Sequence, residues 1–358
     1  MKNTYFTPGP AELYPTFGNH MQIALNEQIG SISHRSQRFR DIYKHTDEQL
    51  RVLLNIPVTH GIFFTGSASE VWERLLLNCV EHESFHLVNC SFSRKFFDYA
   101  QSLHKYAHVV EKPFGEGFDF AEIEVPEYAE LVCVTHNETS SGVQMRPVEI
   151  HKLKRKYPKK LFCVDMVSSA PYPDLDFGLI DSAFFSVQKA FGMPAGLGVW
   201  IANEACLDKA ERLRKYDSMT IGAHNTLPVL WKNYQTFETP ATPNVLFIHL
   251  LGKIAEDLNR IGIETVRKQT EEKARMLYRF VESDGRYSPF VNEERHRSQT
   301  VIVANTTAPA KEVMARAKEA GMIVGNGYGK QKDSQIRIAN FPAVSVEQTA
   351  QLIDILKK

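Results

Sequence analysis

The sequence has few cysteines, no long uncharged stretch and no excess of charge of either sign. Five of its 358 residues are cysteine, an odd number without C-x-x-C spacing, which argues for reduced core thiols in a cytosolic protein rather than a disulfide framework. No stretch approaches the ~18 apolar residues of a transmembrane helix, and the N-terminus lacks the apolar segment of a signal peptide. We therefore expect a soluble, cytoplasmic protein.

The charges balance, because 42 lysines and arginines stand against 42 aspartates and glutamates. With a net charge of zero, the protein has no overall electrostatic attraction to nucleic acid or to a membrane surface. We therefore expect neither as a partner, and a small ligand is favoured. The length allows one large domain and one smaller domain.

Proline marks both ends of the predicted large domain. Pro8, Gly9, Pro10 and Pro15 predict an extended arm at the N-terminus, and the prolines of 239–243 interrupt the chain, with Thr242 predicted to cap the helix that follows. Residues 214–237 are predicted to be irregular, and Ser345-x-x-Gln348 predicts a capping box at the start of a last helix. The predicted divisions are an arm over 1–15 that packs with the small domain, a large domain over 16–242 and a small α+β domain over 243–358.

Short apolar runs alternate with helical patterns between residues 61 and 201. Near-continuous apolar strands separated by helices predict a mainly parallel sheet covered on both faces, with ligands at the carboxyl ends of its strands. Polar, aromatic or reactive residues stand at or just beyond the ends of several runs, and we expect them to meet at that edge: Ser67, Phe92, Thr139, Asp165 and Lys189.

Lys189 follows the apolar run of residues 183–187 and precedes a glycine-rich loop. In a cleft that partly excludes water, the charged form of an amine is disfavoured and its nucleophilicity rises, which is typical of Schiff-base chemistry. The alternative interpretation is an ordinary solvated lysine in a loop. The small residues Ser67, Ala68 and Ser69 join a strand to a helix and leave backbone N–H groups for a phosphate. An ordinary serine-capped helix has the same pattern.

Taken together, these strand-end residues match the needs of pyridoxal 5'-phosphate (PLP). The phosphate needs helix N–H groups, and the ring needs a flat apolar partner such as Phe92. The pyridinium nitrogen needs a buried anion such as Asp165, and the aldehyde needs Lys189. We therefore predict a PLP site, while a core role for Phe92 and a turn role for Thr139 stay open.

Further motifs occur in one order along nearly the whole chain. They are Phe6–Ala11, Ile32–Ser36, Asn137–Gly142, Val164–Ser169 and Ser186–Lys189 with the glycine-rich loop behind it. In this order they resemble the class V, fold-type I PLP-dependent aminotransferases, in particular the group of phosphoserine and alanine- or serine-glyoxylate aminotransferases. The resemblance implies an α/β fold-type I structure, with a mostly parallel seven-stranded sheet in the large domain and a small α+β C-terminal domain.

The resemblance also implies a homodimer with active sites at its interface, small amino and keto acids as substrates, and ping-pong transamination through a Schiff base on Lys189. Arg337 matches an arginine that clamps the substrate α-carboxylate, a task that suits its planar fork. Lys189 and Asp165 are implied as catalytic, and no metal is implied. The residues implied at the cofactor are Ser67, Ala68, Ser69, Phe92, Thr139, Asp165, Gln188, Lys189 and, across the interface, Thr239; those implied at the substrate are His34, Arg35, Lys330 and Arg337.

The substrate is the open part of the prediction. Transamination between phosphoserine and 2-oxoglutarate, a step of serine biosynthesis, is predicted first, and transamination of alanine or serine with glyoxylate is the alternative. The chain departs from the phosphoserine pattern in Ser67-Ala68-Ser69, where a glycine-glycine-arginine is usual, and in Phe92, where a tryptophan is usual. It also lacks a His-Arg pair ahead of Arg337, so Lys330 or Lys332 would have to supply that cation, and Glu238 replaces an asparagine before Thr239.

Two other classes of protein fit less well. A class V cysteine desulfurase needs a reactive cysteine in the small domain, and no cysteine follows Cys206. A non-catalytic homologue would be expected to have lost Lys189 or Asp165, and both are present.

Overall fold

The computed structural model describes residues 3–216 and 219–358, which form helices packed around two large sheets and one two-stranded sheet. The strands are β1 (Thr4–Phe6), β2 (His60–Thr65), β3 (Glu83–Val88), β4 (Tyr106–Glu111), β5 (Leu131–Thr135), β6 (Asn137–Glu138), β7 (Val143–Gln144), β8 (Leu161–Asp165), β9 (Ser182–Ser186), β10 (Gly198–Asn203), β11 (Tyr287–Pro289), β12 (Val301–Thr306), β13 (Met322–Asn326) and β14 (Gln335–Ala339). The helices are α1 (Phe17–Asn26), α2 (Gln37–Leu54), α3 (Ala68–Cys79), α4 (Ser91–Ser102), α5 (Pro147–Lys156), α6 (Glu204–Tyr216), α7 (Leu227–Tyr234), α8 (Val245–Ile261), α9 (Ile263–Ser283), α10 (Ala310–Glu319) and α11 (Val346–Leu356).

The larger sheet has seven strands in the order β2-β10-β9-β8-β5-β3-β4. The pairs among β9, β8, β5, β3 and β4 are parallel, and β10 runs antiparallel to both of its neighbours. Because β2 and β9 both oppose β10, they also point the same way as the other parallel strands. The predicted α/β class with a mainly parallel sheet is confirmed, and the carboxyl ends of six strands share one edge.

Both faces of this sheet are buried, which explains the continuous apolar runs of the sequence. In β9, Ala183 and Phe185 belong to one apolar core with α2 and α8, whereas Phe184 belongs to a second core with α3, α6 and α7. Burying each phenylalanine contributes roughly 1.5–3 kcal/mol. A strand with apolar side chains on both faces is stable only between two helical layers, so the sheet lies at the centre of the molecule.

The smaller sheet has the order β1-β13-β14-β12-β11. Its edge strand β1 comes from the N-terminal arm and pairs in parallel with β13, with Thr4 opposite Met322 and Phe6 opposite Val324. The first and last hundred residues of the chain thus meet in one sheet. The capping box at the start of α11 is confirmed: Ser345 Oγ accepts from the Gln348 amide at 3.2 Å, and Gln348 Oε1 accepts from the Ser345 amide at 2.9 Å.

Two local predictions are wrong. Asn244, not Thr242, caps α8, because its side-chain oxygen accepts the Phe247 amide at 3.1 Å. The stretch 214–237 is not wholly irregular, since α6 extends to Tyr216 and α7 occupies Leu227–Tyr234. The apolar residues of α7 at positions 227, 230, 231 and 234 follow helical spacing and pack into the second core.

The predicted domain limits, 16–242 and 243–358, stay a prediction. The buried side chains of α8 belong to the same apolar core as those of α2. The same core also includes Val266 and Val291, so it continues beyond α8. No helix within the described ranges is long and apolar enough to cross a membrane.

The arm and the loop after β9 are in backbone contact. The Tyr14 amide donates to the Gly192 carbonyl at 2.8 Å, and the Ala11 amide donates to the Gln188 carbonyl at 3.1 Å. Gly192 has a φ of +59°, and a Cβ there would lie 2.5 Å from the Tyr14 nitrogen. Glycine is therefore required by the backbone conformation and by the close approach of the arm.

We expect Gly192→Ala to destabilise the protein by about 2 kcal/mol or more, because backbone rather than a flexible side chain blocks the new methyl group. Chemical denaturation measures the free energy of unfolding. Gly18→Ala in α1 is the control, since nothing lies within 4 Å of its Cβ position and helical Gly→Ala stabilises by roughly 0.5–1 kcal/mol. Equal unfolding free energies for Gly192→Ala and the unsubstituted protein would contradict the expectation.

Candidate active site

The carboxyl edge of the large sheet carries a buried carboxylate and a partly buried amine. Asp165 is the last residue of β8, and Lys189 follows the end of β9 by three residues. These two strands are parallel neighbours, so both side chains start from the same edge. Their positions agree with the edge that the strand pattern predicts.

Asp165 is 3% exposed and lacks a cation in hydrogen-bond contact among the described residues. Its Oδ1 accepts the Val167 amide at 2.9 Å, and its Oδ2 accepts Nε1 of Trp72 at 3.3 Å. Burial raises the pKa of Asp165 from 3.8 to about 7, and these hydrogen bonds offset only part of the rise. This carboxylate is suited to a buried cationic partner supplied by a ligand.

The pKa of Lys189 is shifted in the opposite direction, to a lower value. Burial, followed by the nearby charge of Arg337, lowers the pKa of Lys189 from 10.5 to about 8, while Asp165 and Glu138 act in the other direction. Its Nζ donates to the Pro8 carbonyl of the N-terminal arm at 2.5 Å. Near neutral pH this amine loses its proton far more readily than a solvated lysine, which is the requirement for a nucleophilic amine.

The turn after β2 lies beside the end of β9. Ser67 caps α3 by accepting the Glu70 amide at 3.3 Å, and the Ala68 amide donates to Ser186 Oγ at 2.9 Å. Ser67 and Ser69 are exposed at this helix N-terminus. The turn predicted to bind phosphate therefore contacts the strand that leads to Gln188 and Lys189.

Glu138 fixes the start of α4, and with it Phe92. This carboxylate is 1% exposed and accepts the amides of Phe92 and Ser93 at 3.1 and 2.9 Å. It also accepts the hydroxyls of Ser93 and Ser140 at 3.0 and 2.6 Å. A negative group at a helix N-terminus is favourable, so Glu138 joins the loop that carries Thr139 to the helix that carries Phe92.

Arg337 reaches this group from the smaller sheet. Its Nη1 donates to the Thr139 carbonyl at 3.1 Å and its Nε to the Asn326 carbonyl at 2.7 Å. Its guanidinium lies 5.4 Å from the ring centroid of Tyr328, and that ring lies 5.6 Å from the ring of Phe92. The two sheets thus supply one site between them.

A second group of predicted residues forms elsewhere on the chain. Arg35 Nη1 donates to Glu238 Oε2 and to the Thr239 carbonyl, both at 3.2 Å, and Arg40 also pairs with Glu238. The hydrogen bonds of Arg40 and Arg35 hold the pKa of Glu238 below its usual range. The hydrogen bonds and ion pairs described for Arg35 and Glu238 do not include Lys189. Arg35 is exposed, His34 is partly exposed and Thr239 is buried. Lys330 is exposed in a single turn after Tyr328.

Four residues at the site lack a role in the sequence-based prediction. Trp72 and Glu138 hold Asp165 and Phe92, and Tyr328 and Lys95 lie beside Phe92 and Arg337. Helical spacing offered a signal for two of them, because Trp72 follows Ala68 by four residues and Lys95 follows Phe92 by three. No local sequence pattern identifies Tyr328, because the residues that it contacts, Phe92 and Lys95, are distant in the sequence.

Comparison with known proteins identifies the family. The model of the class V aminotransferases matches residues 116–331, which include Asp165, Lys189 and the Thr139 loop. The chain belongs to the class V aminotransferase family. Its substrates are accordingly small amino and keto acids, and its cofactor is PLP.

Similar proteins cover the chain almost from end to end. A phosphoserine aminotransferase structure from Cytophaga hutchinsonii is 48% identical over 99% of this chain and 98% of its own, with a TM-score of 0.97. The phosphoserine aminotransferase of Rhodococcus opacus (strain B4) is 24% identical over 97% of this chain and 92% of its own. An alanine–glyoxylate aminotransferase structure from Nostoc sp. is 20% identical over 100% of this chain and 95% of its own, with a TM-score of 0.84, and shares the fold.

The residues of this class V aminotransferase fit PLP. Asp165 is a carboxylate whose pKa is raised by burial, and a protonated ring nitrogen is a cation that would stabilise its ionised form. Lys189 is an amine that deprotonates easily, and the N-terminus of α3 suits a phosphate. PLP, when bound, supplies an aldehyde that condenses with amines and a ring that accepts the electron pair released at the substrate Cα.

We expect Asp165→Asn to stabilise the protein freed of PLP at pH 8.5 by about 1–4 kcal/mol. A folded-state pKa of about 7 against an ordinary 3.8 means that the folded protein binds more protons between these values. Stability is therefore lost as the pH rises through this window, and asparagine removes that loss. Urea unfolding of the PLP-free proteins at pH 5.5 and 8.5 measures the difference, which should be larger at pH 8.5.

The same substitution should lower transamination by at least about 100-fold, because it removes the buried anion that is predicted to pair with the ring nitrogen. Asp354→Asn is the control, since Asp354 is exposed on α11. A stability difference that is independent of pH would show that Asp165 is not the titrating group.

Proposed function

We propose that this class V aminotransferase transfers the amino group of phosphoserine to 2-oxoglutarate, a step of serine biosynthesis. The observation that carries the proposal is the 48% identity over 99% of the chain with the phosphoserine aminotransferase of Cytophaga hutchinsonii. The five cysteines are free and buried, which supports a reducing, cytoplasmic location.

Lys189 is proposed to hold PLP covalently and to move the proton of the substrate. Because its pKa is lowered to about 8, a useful fraction of its amine is neutral near neutral pH, as condensation with an aldehyde would require. As a free amine it would take the proton from the substrate Cα and return it in a later step. The Pro8 carbonyl, which accepts its hydrogen bond, orients the amine.

Arg337 is proposed to hold the substrate α-carboxylate. Its Nε and Nη1 donate to the Asn326 and Thr139 carbonyls, which fix the plane of the guanidinium. Nη2 has no described hydrogen bond, and a flat fork held in this way matches a carboxylate. Burial lowers the pKa of Arg337 from its ordinary value, so an anion at this point also relieves an unpaired buried charge.

The group formed by His34, Arg35 and Thr239 is proposed to complete the site of a second copy of the chain. No hydrogen bond or ion pair described for it involves Lys189 of its own chain, and Arg35 is half exposed, with a side-chain exposure of 51%. In a symmetric dimer the two copies bury the same surface, and a residue i of one copy contacts a residue j of the other, and vice versa. In that arrangement Thr239 would reach the PLP phosphate and His34 and Arg35 the substrate.

The substrate is tested by titrating the PLP-bound protein with phosphoserine, glutamate, alanine and serine while following the visible absorbance of the cofactor. We expect saturation by phosphoserine and glutamate at concentrations at least about tenfold below those needed for alanine. Turnover of phosphoserine with 2-oxoglutarate should then release glutamate. Saturation by alanine or serine alone, with turnover on glyoxylate, would replace the proposal with the alanine- or serine-glyoxylate activity.

The shared site is tested by mixing two inactive variants, Lys189→Ala and Arg35→Ala, after unfolding and refolding them together. In a dimer with shared sites, a mixed pair contains one site with both residues intact. Equal mixing should therefore restore about a quarter of the unsubstituted activity. If Arg35 served the Lys189 of its own chain, no intact site would form and the mixture would stay inactive.

A further inference from the structure

A lysine on α4 stands at the edge of the site without a carboxylate partner in the described part of the chain. Lys95 follows Phe92 by one helical turn and is exposed. Its Nζ donates to the hydroxyl of Tyr328 at 3.3 Å and lies 5.3 Å from the ring centroid of Phe92. The ammonium is thus held over the aromatic wall of the site while part of it faces solvent.

Tyr328 stands between this ammonium and Arg337. The Arg337 guanidinium lies 5.4 Å from the Tyr328 ring centroid, and the Lys95 ammonium lies 6.0 Å from the same centroid. The separation of the two cations therefore cannot exceed the sum of these two distances. A small amino acid with an anion at each end can span such a gap once each anion accepts a hydrogen bond of about 3 Å.

The hydroxyl of Tyr328 strengthens this arrangement. Because its oxygen accepts from Lys95, its O–H remains free to donate. The ammonium keeps further N–H groups for a ligand. One anion can therefore be bound by an ammonium and a hydroxyl that already lie in contact, which lowers the entropy lost on binding.

We propose that Lys95 and Tyr328 form a subsite for the distal anionic group of the substrate, a phosphate monoester or a side-chain carboxylate. The proposal deepens the proposed function and rests on it, because Arg337 must hold the α-carboxylate. It assigns to Lys95 the task that the sequence suggested for Lys330 or Lys332. All three lysines are exposed. Of these, Lys95 is the one whose ammonium is described within 6.0 Å of the ring centroids of Phe92 and Tyr328.

The test compares Lys95→Met, Tyr328→Phe and Lys330→Met, with Lys318→Met as the control at an exposed position of α10. Dissociation constants come from the absorbance titration of each PLP-bound variant with phosphoserine, glutamate and alanine, and kcat/KM from turnover. Inorganic phosphate is added as a competitor, which gives a readout that requires no reaction. An unchanged absorbance spectrum without substrate shows that each variant folds and holds PLP.

We expect Lys95→Met to weaken phosphoserine and glutamate by about 10- to 100-fold, mainly through KM. Tyr328→Phe should weaken both by about 3- to 10-fold, and competition by inorganic phosphate should decline with them. Alanine, which lacks a distal anion, should change by less than about twofold in each variant. The Lys318→Met protein should match the unsubstituted one.

Three results would overturn the subsite. They are equal losses for alanine and phosphoserine with Lys95→Met, no loss for either anionic substrate, or the selective loss appearing with Lys330→Met instead. Failure of the proposed function has a different signature: the unsubstituted protein would respond to glutamate but not to phosphoserine. A selective weakening of glutamate by Lys95→Met would then still support the subsite, for a carboxylate alone.

Discussion

The rest of the site depends on one constraint: a buried carboxylate, Asp165, and a partly buried amine, Lys189, for which no direct ion pair is described. Burial disfavours the ionised forms of both Asp165 and Lys189. A direct ion pair would relieve both, yet Asp165 is held by Trp72 and Val167, and Lys189 is held by the Pro8 carbonyl. In the proposed site, the cationic ring nitrogen of PLP would pair with Asp165 and its aldehyde would take up Lys189. The fold would then tolerate an unfavourable arrangement that the cofactor makes favourable.

Segments far apart in the chain must come together to keep this arrangement. The arm supplies the acceptor for Lys189, and its first strand belongs to the smaller sheet, which also supplies Arg337. Glu138 joins the Thr139 loop to the start of α4 through hydrogen bonds to backbone and side chains. The geometry of the site therefore depends on how the two large sheets pack against each other. A close backbone contact such as that at Gly192 affects both the packing and the site.

Much of the fold and half of the site could be predicted because their signals are local. Apolar strands buried on both faces need no distant residue to be recognised. Asp165 ends one such strand, and Lys189 follows another by three residues. The errors have local causes too. Asn244 and Thr242 are both good capping residues, and only the backbone path decides which side chain meets the Phe247 amide. The apolar face of α7 was hidden within a polar stretch, and packing against the second core stabilises it.

The sequence by itself determined the α/β class, the parallel sheet edge, the lysine and aspartate predicted to bind PLP, and the resemblance to class V aminotransferases. Tertiary structure alone decided which side chains lie around Arg337 and Phe92. Lys95 and Tyr328 are 233 positions apart, and Arg337 and Thr139 are 198 apart. Strand and helix periodicity is encoded in neighbouring residues, whereas the position of a charge depends on how distant elements pack.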